Sequence, residues 1–311
     1  MIILKKTRNV LYTIKLCYNL LNQKGMIVFF LLLTFNIFGY DSFEFYHDND
    51  LFITDEYYTS GVELKYRHMS TLDNENYYNF FFGQKFYTPS DITGGSEEKY
   101  NRPYAAWLYF GYEKEKIKIN SIKKYGFQLG LTGPNALGEI VQNGIHQIIG
   151  EENADGWDEQ IEEIWGIQYY NSSIKEQYNK KEDKAIVSLS NHLEYELGNV
   201  FTNIKYGKIF LMGNSSLYEE GENEWNYYFY YEPQLQLTVY DATLKGSLYS
   251  ESSPITKDFN VVMLKNIIGA SVTHKNITVN YSLNFNSTEI DDMPWKFVNH
   301  IYNRLYFKYN L

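Results

Sequence analysis

Hydrophobic and polar residues alternate along most of this chain. In Asn276–Asn286, Ile277, Val279, Tyr281, Leu283 and Phe285 alternate with Asn276, Thr278, Asn280, Ser282, Asn284 and Asn286. Lys124–Thr132 repeats the pattern, with Tyr125, Phe127, Leu129 and Leu131 set against Lys124, Gly126, Gln128, Gly130 and Thr132. Near the end, Ile301, Leu305, Phe307, Tyr309 and Leu311 share one face, and His300, Arg304, Lys308 and Asn310 the other. A period of two with one apolar face predicts β-strands. Twelve are expected, over approximately 42–54, 57–70, 77–88, 104–119, 122–132, 161–176, 185–197, 200–213, 226–244, 258–273, 275–287 and 297–311. An even count returns both termini to the periplasmic side of a bacterial outer-membrane barrel. The tight turns at Asn120–Ser121 and His274 then lie on that side, and the long connections 89–103, 133–160, 245–257 and 288–296 outside. Two connections sit awkwardly: the tight Gly198–Asn199 turn falls outside, and the longer 214–225 falls inside.

A soluble sandwich shows the same alternation. Composition separates the two. The chain has 31 Tyr and 20 Phe in 311 residues, yet its mean hydropathy is -0.43. A barrel with aromatic girdles, an apolar outer band and a polar interior produces that combination. The polar faces, rich in Asn, Gly, Ser and charge, suit its lumen. The expected fold is all-β: a twelve-stranded antiparallel transmembrane β-barrel of the outer membrane, with a short α-helix in an extracellular-side loop.

That helix is expected within Gly133–Ile161. Pro134 or Asn135 can start it and Gly150 can stop it. Val141, Ile145, Ile148 and Ile149 form an apolar stripe, and Gln142 and His146, four apart, share a face. By itself this reads equally well as a short helix capping a sheet, with His146 merely hydrogen-bonded at its edge.

Residues 1–39 have a different character. Lys5, Lys6, Arg8, Lys15 and Lys24 precede the almost continuously apolar Met26–Phe38, the pattern of a signal peptide cleaved near Gly39. The run is short of the roughly 20 residues that a membrane-spanning helix needs. Residues 40–311 are then the outer-membrane barrel. The only cysteine, Cys17, lies in the leader, which excludes disulfides, thiol nucleophiles and cysteine metal sites from the rest. Five of the 28 Lys and Arg also lie there, so 23 face 38 Asp and Glu, a net charge of -15. Nucleic acid is not an expected partner.

Three blocks carry candidate chemistry. The first is His47-Asp48-Asn49-Asp50 with Asp55-Glu56-Tyr57-Tyr58-Thr59-Ser60-Gly61. The second is Asn101-Arg102-Pro103-Tyr104-Ala105-Ala106-Trp107. The third runs from Gly133-Pro134 through Gln142, His146, Glu152, Trp157 and Asp158. Asn and Asp are poor strand formers, so Asn49-Asp50 marks either a site or a polar lumen. Oxygens from Asn, Asp, Glu and Thr suit a hard cation, calcium above all. A histidine beside such a cation can deprotonate water. Arg102 reads as a turn anchor, and Trp107, Trp157, Trp165 and Trp295 as interface aromatics. His68, His192, His274 and His300 read as lumen or loop residues, although Glu194 shares a strand face with His192.

The run N-D…T-D-x-x-Y-T-x-G, then R-P-Y-A-x-W, then G-P-x-A-x-G-x-x-x-Q-N-x-x-H-x-x-I-G…W-x-x-Q resembles the outer-membrane lipid A 3'-O-deacylase family. The resemblance spans Glu44 to Leu311 and is sharpest over residues 49–161. It implies a twelve-stranded barrel with its site between the wall and the loop helix. It further implies calcium-dependent hydrolysis of the ester-linked acyl chains at the 3' position of lipid A, with lipopolysaccharide as partner and a monomer as the default state. Carried over by position, His146 is the general base. Asn49, Asp50 and Thr59 fall on strand positions used for catalysis and metal binding. Gln142 and Glu152 complete the site, Glu152 also as a candidate calcium ligand. In one loop the chain departs from the best-characterised type of member: TPSDITGGSEEKYN is acidic where that type is basic.

Two other classes remain in play. An outer-membrane phospholipase would carry a His-x-Ser-Asn-Gly type strand motif, which is absent from the sequence. A non-enzymatic pore or structural barrel would not need a helix bearing a histidine.

Overall fold

The computed structural model describes residues 41–50, 57–70, 72, 75–93, 101–183, 185–218 and 224–311. The leader, the Asp55-Glu56 pair and the acidic centre of the loop before Asn101 lie outside the described residues. Twelve strands close into one barrel. They are β1 (Ser42–Asn49), β2 (Tyr57–Met69), β3 (Asn76–Thr88), β4 (Ala105–Lys118), β5 (Ser121–Leu131) and β6 (Trp165–Glu182). The second half holds β7 (Ala185–Gly198), β8 (Phe201–Gly213), β9 (Trp225–Asp241), β10 (Val262–His274), β11 (Ile277–Asn286) and β12 (His300–Asn310). Each pairs antiparallel with its sequence neighbours, and β12 closes on β1 from Asn310↔Ser42 to Asn303↔Asn49. Helix α1 (Gly138–Ile149) lies between β5 and β6, and a single helical turn, α2 (Ala242–Lys245), follows β9.

The count survives at its weak point. The tight Gly198–Asn199 turn does lie at the end that carries the long connections, and 214–224 at the end that carries both termini. Several boundaries differ from expectation, among them β9, which ends at Asp241 instead of 244, and β10, which starts at Val262 instead of 258. β6 starts at Trp165 instead of 161, because Ile161 and Ile164 are buried in the core at the mouth, and it runs on to Glu182. β1 stops at Asn49. Helix α1 does not begin at Pro134 or Asn135. Pro134–Ala136 forms a 3-10 turn, Leu137 then takes a left-handed φ of 60°, and the α-helix starts at Gly138. A non-glycine residue at positive φ cannot continue a right-handed helix, so Leu137 separates the two. The far end is as expected: Gly150 at φ 84° donates its N–H to the His146 carbonyl (2.8 Å).

Charged side chains cross the lumen toward the end that carries the termini: Arg67 Nε bonds Glu115 Oε2 at 2.7 Å, Lys65 lies 3.7 Å from Glu113, and Asn79 donates to Glu113 at 2.6 Å. Buried charges persist when paired in this way. Toward the outer end, Phe81, Tyr87, Trp107, Tyr109, Ile161, Ile164, Val200 and Phe201 form an apolar plug. Trp107 is therefore not an interface aromatic. It points inward and is fully buried, with its ring filling the space that a Cβ would need at Gly130 or Gly166. Trp157 is likewise buried, against Tyr104 and Ala106, whereas Trp165 (74 % exposed) and Trp295 (54 %) are the expected surface aromatics. Arg102 is the anchor expected of it. Fully buried, it donates to Thr243 Oγ1 (2.9 Å), lies 3.6 Å from Glu289 and stacks over the Tyr87 ring, which ties three outer loops together.

Candidate active site between barrel wall and helix

The pleat of β1 separates neighbours that the sequence placed in one block. Asp48 points into the lumen, where Arg304 of β12 grips it with two 2.7 Å bonds and Tyr58 donates to it at 2.8 Å. Asn49 and His47 point to the opposite, outer side of the wall. On β2 the pairing register shifts between Tyr58 and Ser60, which makes Thr59 the extra residue of a β-bulge. Tyr58 consequently faces inward while Thr59 and Ser60 both line the outer cleft. Gly61 makes this possible, since a Cβ there would collide with the Tyr58 hydroxyl.

Asp50 follows at the rim, fully buried. Its N–H bonds the Thr59 carbonyl at 3.3 Å, and its carboxylate lies 3.7 Å from His300 Nε2. Thr59 Oγ1 meets Thr88 Oγ1 of β3 at 2.6 Å.

Helix α1 supplies the other side. It rests on the outer face of β3 and β4: Gln84 donates to the Ala136 carbonyl at 2.5 Å, and Gly138 sits against Ala106 and Trp157 with no room for a side chain. Gln142 and His146 face the wall one turn apart, as their spacing requires. Trp157 Nε1 donates to Gln142 Oε1 at 2.8 Å, while the buried Gln142 Nε2 has no hydrogen-bond partner among the described residues. His146 Nδ1 lies 2.5 Å from the Glu152 carbonyl. A carbonyl can only accept, so Nδ1 is the donor, and in the neutral ring Nε2 is the nitrogen with the lone pair. Tyr104 packs on Trp157 with ring centroids 5.0 Å apart. Burial, with a smaller push from Asp91 and Asp155, holds its hydroxyl well above the usual tyrosine range, so it stays a neutral donor to the Ile92 carbonyl.

Five of the six residues singled out in the sequence line one cleft of about 460 Å³: Asn49, Asp50, Thr59, Gln142 and His146, beside His47, Ser60, Phe86, Ile145, Ile149 and Asn303. Glu152 lines an adjoining cleft that shares Thr59, Gln142, His146 and Ile149. Its carboxylate is not brought to Asp50; its backbone carbonyl is what meets His146. Asn49 faces away from the lumen. His300, read in the sequence as a lumen or loop residue, does line the lumen and also meets Asp50, whereas Asn303 was not assigned to the site. Asn303 donates to the Asn49 carbonyl at 2.7 Å, and both residues reach the site only because β12 closes on β1, which leaves no local sequence signal. His192 is held inside the lumen by Glu232 (2.6 Å), Glu194 (3.2 Å) and Ser172 (3.0 Å).

Fold and site together define a closed outer-membrane barrel that carries, on the outside of its wall, a cleft in which a few polar side chains meet an apolar lining, roofed by a loop helix. The family model described as "Outer membrane protein LpxR" matches residues 27–310, and the chain belongs to that family, the outer-membrane lipid A 3'-O-deacylases whose motifs it carries. It is a protein of the outer membrane. The solved structure of LpxR from Salmonella typhimurium superposes with a TM-score of 0.73 at 22 % identity, over 87 % of this chain and 100 % of that one. The beta domain of the Bordetella autotransporter BrkA is more remote, with a TM-score of 0.47 at 8 % identity over 88 % of this chain and 99 % of that one. No curated protein matches the chain.

Proposed function

We propose that the protein hydrolyses ester-linked acyl chains at the 3' position of lipid A, with His146 as general base. One observation carries this reading: His146 and Gln142 face Asn49, Asp50 and Thr59 across a cleft on the membrane side of the wall. Polar residues on the outer face of a barrel are costly in lipid, so a cluster of them there calls for a substrate. His146 Nε2 takes a proton from water as the water oxygen bonds to the ester carbonyl carbon. The tetrahedral intermediate then collapses, the bond between the acyl carbon and the sugar oxygen breaks, and the same proton passes to the leaving alkoxide. The products are a free fatty acid and a lipid A hydroxyl. Gln142 Nε2 is a donor positioned at the cleft. Family membership supports lipid A as substrate and an esterase as the class of enzyme.

The donor set suits calcium. Around the bulge Asn49, Asp50 and Thr59 offer oxygen, which suits a hard cation. With a single buried carboxylate, the rest of a shell of roughly six to eight oxygens comes from backbone, water and substrate. Calcium held there supplies positive charge to the developing oxyanion. Glu152, on the neighbouring cleft, acts on the proposed reaction through His146.

Mass spectrometry of lipid A from cells with and without the protein tests the reading. Loss of the 3'-linked acyl chains only where the protein is present is the expected result, abolished by EGTA and restored by calcium better than by magnesium. Identical lipid A in both cell types rejects the activity, and full activity in EGTA rejects the metal.

A further inference from the structure

The apolar stripe of α1 does not pack inward as a unit. Val141 joins the cluster around Ala106 and Trp157, but Ile140 is 68 % exposed and Ile148 41 %. Ile140, Gly144 and Ile148 follow one another at steps of four residues, so they share one flank of the helix, and the exposed Leu137 precedes them at its N-cap. That flank faces open space: a Cβ added at Gly144 would meet nothing within 4 Å. The opposite flank is fastened to the acidic segment 151–159. Asn143 exchanges hydrogen bonds with the Ala154 backbone (2.8 and 3.4 Å), and His146 and Gln142 bond Glu152 and Trp157. Glu151, Glu152, Asn153, Asp158 and Glu159 of that segment are exposed and must lie in water. The apolar flank then points the other way, toward the bilayer.

The wall beneath shows the same boundary. Leu64, Phe82, Phe110, Leu129 and Ile167 are cross-strand partners in one continuous row over β2 to β6, and each is more than half exposed. Gln84, which holds the start of the helical segment, is two residues along β3 from Phe82, about 7 Å. A lipid-facing band thus runs directly up to the seat of α1.

We propose that the flank Ile140, Gly144 and Ile148 seats in the acyl-chain layer of the outer leaflet as an extension of the barrel's apolar band. An amphipathic helix with one apolar and one polar flank settles at this boundary, roughly 5–10 Å into it. The inference rests on the outer-membrane barrel and not on hydrolysis. Combined with the proposed reaction, it means that Ile145, Ile149 and Phe86 continue an apolar lane from that layer to His146.

The test uses nitroxide labels on single cysteines in a Cys17→Ser background, with the barrel reconstituted in phosphatidylcholine vesicles. Gly144→Cys and Ile140→Cys report the flank, and Asn153→Cys the polar segment. Molecular oxygen, which concentrates in the acyl layer, should relax the labels at 144 and 140 several-fold more than a water-soluble nickel chelate does. The label at 153 should show the reverse. If one flank variant fails to close into a heat-modifiable barrel, the other carries the same readout. Equal nickel accessibility at 140, 144 and 153 overturns the proposal, because the flank then faces water. Spin–spin broadening that grows with protein density also overturns it, by showing a second copy of the chain on the flank.

Discussion

The two faces of the wall formed by β12, β1 and β2 are built from interleaved residues and do opposite things. On the inner face, Asp48, Tyr58 and Arg304 satisfy one another through a bidentate ion pair and a hydroxyl bond. On the outer face, Asn49, Thr59 and Ser60 lie one residue away along the same strands and open onto a cleft. The inner group answers its own charge, whereas the outer one lines the cleft in which the proposed reaction would take place. Adjacent residues therefore carry different roles according to the pleat, and a single bulge at Thr59 moves a residue from one role to the other.

The largest expected effect separates the faces by activity. His146→Ala and Asp50→Ala should each leave a heat-modifiable barrel and abolish most deacylation. For His146 the expected loss is on the order of 10²–10⁴ in rate. A His146→Ala protein with near wild-type turnover on lipid A would remove the outer face from the chemistry.

The inner face should answer in stability instead. Asp48→Ala strips Arg304 of its carboxylate, a charge-assisted pair worth about 1.5–3 kcal/mol when fully buried. Arg304 keeps 42 % of its side chain exposed, so the loss should be about 1–2 kcal/mol. Urea titration in lipid vesicles would register it as a lower midpoint, with turnover per folded molecule little changed. If Asp48→Ala instead abolishes turnover at unchanged stability, the division between the two faces is wrong.

A further substitution sharpens the outer face. Trp157→Phe keeps the buried ring but deletes the donor to Gln142 Oε1, at about 1–3 kcal/mol for an unsatisfied buried acceptor. A several-fold drop in kcat with a closed barrel would show that Gln142 is aimed by Trp157. A purely structural Trp157 would lower the urea midpoint and leave kcat alone.

Much of this was legible in the sequence because a period of two survives in every strand, whatever its partner. Boundaries failed where tertiary packing competed with alternation: Ile161 and Ile164 look like strand residues and are instead buried at the mouth. Trp107 was misplaced for a related reason, since a tryptophan near a strand end suits a membrane interface as well as a plug. The helix and its Gln142–His146 face could be read locally. The contact between His300 and Asp50 could not, because it spans the closure of the barrel.

The plug around Trp107 also bears on the route by which an acyl chain would reach His146. Aromatic side chains fill the lumen at that level, so in the proposed reaction the chain would arrive from the lipid side of the wall.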